Sequence, residues 1–295
     1  MVTLEPAGRE DNGKGGVDSE LLLNDRAFAE AMLKKDGLNK ADLTFILRNL
    51  LKLEYYPVAV KFFYREEEVA EFKKDHPDYR VAAHPYTFCH FSAASRQRGD
   101  ILFGDVKTMG CTNAQYNFGW KGLDENEIKS HVKYTRDREQ AERFVKTKPR
   151  LPEGLLAFAT APLHKAVFEP DLVHIICNVL QAYHIANDYA SAVDEHPVES
   201  VMQMNSAVCG GATWTYVNKK INLVPMCSSS YTSGKTEQGE INVYVPWPKF
   251  TPMVKRLLER TFQYGGASYP RTGETFPGFN VCKLCNFLAF VKPKD

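Results

Sequence analysis

Short β-branched and aromatic runs, separated by stretches with helical spacing, recur along this chain, and that interleaving most constrains its fold. The clearest run is Val58-Ala59-Val60-Lys61-Phe62-Phe63-Tyr64, opened by Tyr56-Pro57; such side chains suit a pleated, half-buried surface. Further strands are expected at Ile101 to Val106, Leu155 to Thr160, Leu172 to Cys177 and Glu240 to Val245. Ala212 to Tyr216 and Ile221 to Val224, flanking Asn218-Lys219-Lys220, read as a hairpin. Residues 20–53 carry apolar side chains at helical spacing, with a break at Asp36-Gly37 and Asn39 or Asp42 as cap of the second helix. Glu66 to Lys74, Phe88 to Arg98, the polar stretch 124–149 and Leu180 to Ala192 also read as helices, the last one preceded by Asn178. Thr251 is expected to cap a helix over Pro252 to Phe262. Strands and helices that alternate in this way predict a mixed α/β or α+β fold, as a single compact unit or two similar-sized lobes.

Residues 1–19 are polar and Gly-rich and read as a flexible leader; 20–262 form the mixed α/β domain; 263–295 read as a Gly/Pro-rich extension. With 37 basic against 36 acidic side chains, the formal charge is +1. That balance gives no reason to expect nucleic acid as a partner. Arg143, Lys146, Lys148 and Arg150 read as an exposed helix end. No apolar run reaches the ~20 residues of a membrane helix, and the N-terminus lacks an apolar secretory core. A cytoplasmic protein is expected, with self-association left open.

Seven cysteines, an odd number without a secretory signal, argue against a disulfide framework. Four lie at element boundaries beside small or turn-forming residues: Thr87-Phe88-Cys89-His90, Met109-Gly110-Cys111-Thr112, Val208-Cys209-Gly210-Gly211 and Pro225-Met226-Cys227-Ser228. Thiolates presented from such places suit a soft metal centre. The spacing is unlike a compact ferredoxin run, and small buried residues are the plainer account of each cysteine. Cys282-Lys283-Leu284-Cys285 lacks the second pair that a zinc site wants, so structural packing or extra ligands are its open roles. Cys177, within Ile175-Ile176-Cys177, reads as core.

His90, next to Cys89, is the best candidate for a catalytic proton donor. His174 and His184 bracket a strand-to-helix turn, and they and His84 read equally as satisfied structural groups. Ser228-Ser229-Ser230 reads as a solvated turn, and Glu169-Pro170-Asp171 as the entry to a strand. Phosphate-loop, dinucleotide, zinc-protease and nucleophile-elbow patterns are missing.

Several segments together resemble the prokaryotic DUF169 family, over about residues 40–262. They are Tyr56-Pro57-Val58-Ala59-Val60-Lys61 with Phe88-Cys89, Phe168-Glu169-Pro170-Asp171-Leu172-Val173 running on to Asn178 and Gln181-Ala182-Tyr183, and Cys209-Gly210-Gly211 with Asn222-Leu223 and Cys227-Ser228-Ser229-Ser230. Thr112-Asn113-Ala114 departs from the Pro-Gly-Ala continuation typical after the second cysteine, and the Cys-x-x-Cys tail is an addition. The resemblance implies no activity, but it places all four boundary cysteines in matched blocks and so favours joint ligation. The expectation is an iron–sulfur protein, with a [4Fe–4S] cluster on Cys89, Cys111, Cys209 and Cys227, acting on a small-molecule substrate or with a redox partner protein. The alternatives are a non-catalytic flavin or tetrapyrrole carrier walled by Tyr116, Phe118 and Trp120, and structural zinc in the same thiolates.

Overall fold

The computed structural model describes residues 26–263 apart from 203–204. The proposed leader, and the extension with Cys282 and Cys285, therefore lie outside the described residues but for Gln263. A seven-stranded mixed sheet organises the chain. Its strands are β1 (Val58–Phe63), β2 (Arg80–Val81), β3 (Leu102–Asp105), β4 (Ala157–Pro162), β5 (Leu172–Asn178), β6 (Asn222–Pro225) and β7 (Glu240–Pro246), in the spatial order β2-β3-β4-β1-β5-β7-β6. Only β2 and β3 pair in parallel; Val58 lies opposite Pro162 of β4 and His174 of β5 in antiparallel ladders. Asp171 anchors the entry to β5, accepting a hydrogen bond from the Phe62 amide at 2.7 Å.

The period of two along each strand sorts side chains to opposite faces. Ala59, Phe63, Val173, Ile175, Cys177, Val243 and Val245 face one core, with helices α1 (Arg26–Lys34), α2 (Lys40–Leu51), α3 (Glu66–Asp75), α8 (Val179–Val193) and α11 (Trp247–Gln263). Val58, Val60, Phe62, Phe158, Leu172 and Tyr244 face the other, with α4 (Phe88–Arg98), α5 (Thr112–Asn117) and α9 (Ala207–Asn218). The remaining helices are α6 (Glu125–Val132), α7 (Arg138–Lys146) and α10 (Ser228–Thr232). Asn39 and Asn178 close capping boxes at α2 and α8, their side chains accepting from the amides of Asp42 and Gln181.

Three expectations need correction. Ala212 to Tyr216 belongs to α9 rather than to a hairpin, because Ala207, Val208, Ala212 and Thr215 are buried against the sheet. Helix α11 begins at Trp247, five residues before Pro252, since Phe250, Met253, Val254 and Leu257 form one continuous buried stripe. The stretch 124–149 is helical as expected, in two helices, the second capped by Asp137, whose carboxylate accepts from the Gln140 amide. Lys148 and Arg150 are not an exposed helix end. Lys148 is buried and pairs with Glu127 at 2.8 Å, and the Arg150 guanidinium lies over the Tyr116 ring.

Candidate functional site

The four boundary cysteines meet in one place. Cys89, Cys111, Cys209 and Cys227 all line a cavity of about 140 Å³ on the α4/α5/α9 side of the sheet. Each comes from the start of a different helix: Cys89 is the second residue of α4, Cys111 precedes α5, Cys209 is the third residue of α9 and Cys227 precedes α10. Sequence separations of up to 138 residues (227 − 89) are closed by the sheet, on one face of which all four cysteines pack.

A glycine and a tyrosine set the depth of Cys209. A Cβ on Gly211 would stand 2.3 Å from the Tyr244 ring, so only glycine lets α9 lie directly on β7. The Tyr244 hydroxyl donates to the Val208 carbonyl at 3.0 Å, tying the first turn of α9 to the strand. Gly211→Ala is therefore expected to lift α9 and to cost about 1–3 kcal/mol by overpacking. A denaturant midpoint unchanged from wild type would count against this.

Donors surround the sulfurs. Ser229 and Ser230 hydroxyls lie 3.2 Å from Cys227 Sγ and line the cavity, while Ser228 and Ser229 also face solvent. Burial opposes ionisation of Cys227, but these hydroxyls, the Ser230 amide and nearby Lys235 outweigh it and hold the thiol below its ordinary value. Burial pushes the Cys111 thiol up, partly offset by the amides of Ala114 and Asn113. Burial pushes Cys209 well up, and the charges of Cys111, Cys89 and Cys227 add to the rise while Lys148 opposes it. The four sulfurs are thus electrostatically coupled. Behind them, Asn113 accepts a short hydrogen bond from the Lys148 ammonium.

Among the described residues no group of three or more His, Cys, Asp or Glu side chains stands ready to hold a metal ion. The five described cysteines are free.

His90 does not line the cysteine cavity. It lines a neighbouring cleft of about 540 Å³, together with Arg80, Tyr86, Gln97, Arg98, Asp100 and Lys235. The Thr87 hydroxyl lies 2.8 Å from both Cys89 Sγ and His90 Nδ1, and so bridges the two spaces. Burial, and then Lys235, lower the His90 pKa to about 4. Lys235 lines both cavity and cleft. The sequence offered a signal for His90 in its place beside Cys89, but none for Thr87 or Lys235, which carry no motif.

A family model described as an uncharacterised ArCR family, DUF169, matches residues 46–256. The chain belongs to the DUF169 family. No curated protein and no solved structure matches it. The DUF169 match takes in all four cysteines, Thr87, His90 and Lys235.

Other sequence candidates fall elsewhere. His174 is buried in the sheet, its ring bonded to Ser92 and Asn242 at 2.7 and 2.8 Å, and burial lowers its pKa to about 3. His184 pairs with Arg260 beside Asp188, and Cys177 sits in the core on the opposite face. Tyr116 and Phe118 are buried, and Phe118 meets Phe62, Phe88, Phe158 and Trp120 edge to face. The aromatic trio builds core and walls neither the cavity nor the cleft. No helix among the described residues is long and apolar enough to cross a membrane.

Proposed function

We propose that this DUF169 protein is a cytoplasmic iron–sulfur protein, with a [4Fe–4S] cluster held by Cys89, Cys111, Cys209 and Cys227, that acts on a small molecule bound next to the cluster. The observation that carries this reading is the convergence of four thiols from four helices on one cavity. The donor set fits: among the described residues no carboxylate or imidazole lines that cavity, and all-sulfur ligation selects soft or iron–sulfur centres. The free thiols suit a reducing compartment.

Four thiolates bring a high negative charge into a confined space. Amides of Asn113, Ala114 and Ser230, hydroxyls of Ser229 and Ser230, and the ammonium groups of Lys148 and Lys235 offset it. When bound, such a cluster supplies electron transfer if four cysteines ligate it, or a Lewis-acidic iron if three do. The chain's own part in proton handling runs through Thr87. With Cys89 as thiolate, the Thr87 hydroxyl donates to Sγ and accepts from His90 Nδ1–H. That arrangement fixes the neutral tautomer with its proton on Nδ1 and leaves Nε2 of His90 as a hydrogen-bond acceptor. The cleft that His90 lines favours a small-molecule substrate over a role confined to a redox partner protein.

Anaerobic purification should yield a brown protein with about four iron and four sulfide per chain and an EPR signal on reduction. A colourless, iron-free protein, or zinc without sulfide, would sink the reading. Ligation needs thiolates, and burial keeps Cys111 and Cys209 protonated, so loading releases protons. Cluster uptake by the empty protein is expected to rise with pH above neutrality; a flat profile would contradict joint ligation by these two residues.

A further inference from the structure

The cleft beside the cysteine cavity carries more positive charge than it neutralises. Arg80 and Arg98 both reach one buried carboxylate, Asp100, at 3.3 and 2.6 Å. One carboxylate offsets one of the two guanidinium charges. Lys235 adds a third cation. It is 8 % exposed, lines the cleft, and its ammonium has no hydrogen bond or ion pair among the described residues. It has no carboxylate partner of its own on the cleft side, and an anionic ligand there would supply one.

The position of Lys235 is fixed by its backbone. Its amide donates to the Ser230 carbonyl at 3.0 Å, and its carbonyl accepts from Arg96 Nη1 at 3.4 Å. Arg96 is itself buried and paired with Glu240. Lys235 therefore stands at a set point on the wall shared with the four sulfurs, near His90.

We propose that this cleft binds the anionic group of a small molecule, a carboxylate or a phosphate, through Lys235 with Arg80 and Arg98. The rest of that molecule then lies over His90 and the wall of the cysteine cavity. Asp100 acts as an internal competitor that occupies the two arginines while the cleft is empty. The assignment names the substrate class for the reaction proposed above, although the binding step itself needs no cluster.

Titration calorimetry on the full chain, with malonate and with inorganic phosphate as probes, tests it. Saturable one-to-one binding of at least one probe is expected, and the preferred probe tells the carboxylate from the phosphate source. Lys235→Met should weaken binding about tenfold or more, while Lys235→Arg retains most of it. Arg98→Gln, which alters the cleft but not the cysteine cavity, should weaken it several-fold. Asp100→Asn should strengthen it by freeing both arginines. No binding of either probe by wild type, or unchanged affinity in Lys235→Met, would overturn the proposal. Iron and sulfide measured on the same samples separate the two readings. Lys235-dependent binding to iron-free protein keeps the cleft and removes the cluster, whereas a loaded protein that binds neither anion does the reverse.

Discussion

Cys209→Ser is expected to abolish cluster binding, with iron and sulfide falling to background after anaerobic purification. Cys209 lies deepest of the four, buried on α9 against the Tyr244 ring. Its sulfur is the one whose thiol burial raises most, so its ionisation depends most on a bound cation. A serine oxygen is a harder donor with a far less acidic hydroxyl, and it removes a soft ligand where no solvent can replace it. The folded state should survive, since the two side chains differ by one atom; a buried hydroxyl costs about 1–3 kcal/mol if it finds no partner. Cys177→Ser supplies the control. Cys177 is also buried, but it faces the opposite core, so its serine variant should lose stability without losing iron. Wild-type iron in Cys209→Ser, or equal iron loss in both variants, would remove the basis for a shared site.

Much of the sheet could be read directly. Val58 to Phe63 and Leu172 to Asn178 combine branched or aromatic residues with nearby proline or a capping asparagine, so local preference and tertiary need coincide. Helix α9 was not legible because Ala212-Thr213-Trp214-Thr215-Tyr216-Val217 has strand-like residues. Burial against the sheet overrode that preference, with Gly211 admitting the close approach to Tyr244. The cysteines were legible as a set through their boundary positions, and their meeting followed only from the fold. Lys148 looked like a surface charge because nothing local marks its partner Glu127, 21 residues earlier (148 − 127). Lys235 was invisible for a similar reason. Its role comes from facing two spaces whose walls come, besides residues 227–234, from segments between residues 80 and 114 and from 205 to 209.

Glu240→Gln is expected to produce a large loss of stability. Glu240 opens β7 and pairs with Arg96, whose side chain is 1 % exposed. The guanidinium also lies over the Tyr55 ring at 4.3 Å. Neutralising the carboxylate leaves a buried cation without its counter-charge, and breaking such pairs costs about 3–5 kcal/mol. A fall in melting temperature on the order of 10 °C follows for a chain of this size. Removing both charges, as Arg96→Met with Glu240→Gln, should recover part of the loss because no uncompensated ion remains. The same substitution should also reach the cleft. Glu240 Oε2 accepts from Thr236 Oγ1 at 2.9 Å and from the Glu237 amide at 2.7 Å, and Arg96 bonds the Lys235 carbonyl. Loosening that hub lets Lys235 drift from the wall it shares with the sulfurs, so anion affinity should fall together with stability. In the double variant, stability and anion affinity should separate: packing is partly restored, but the bond from Arg96 to Lys235 is not. Full recovery of both would show that Arg96 and Glu240 support the core alone and do not position Lys235.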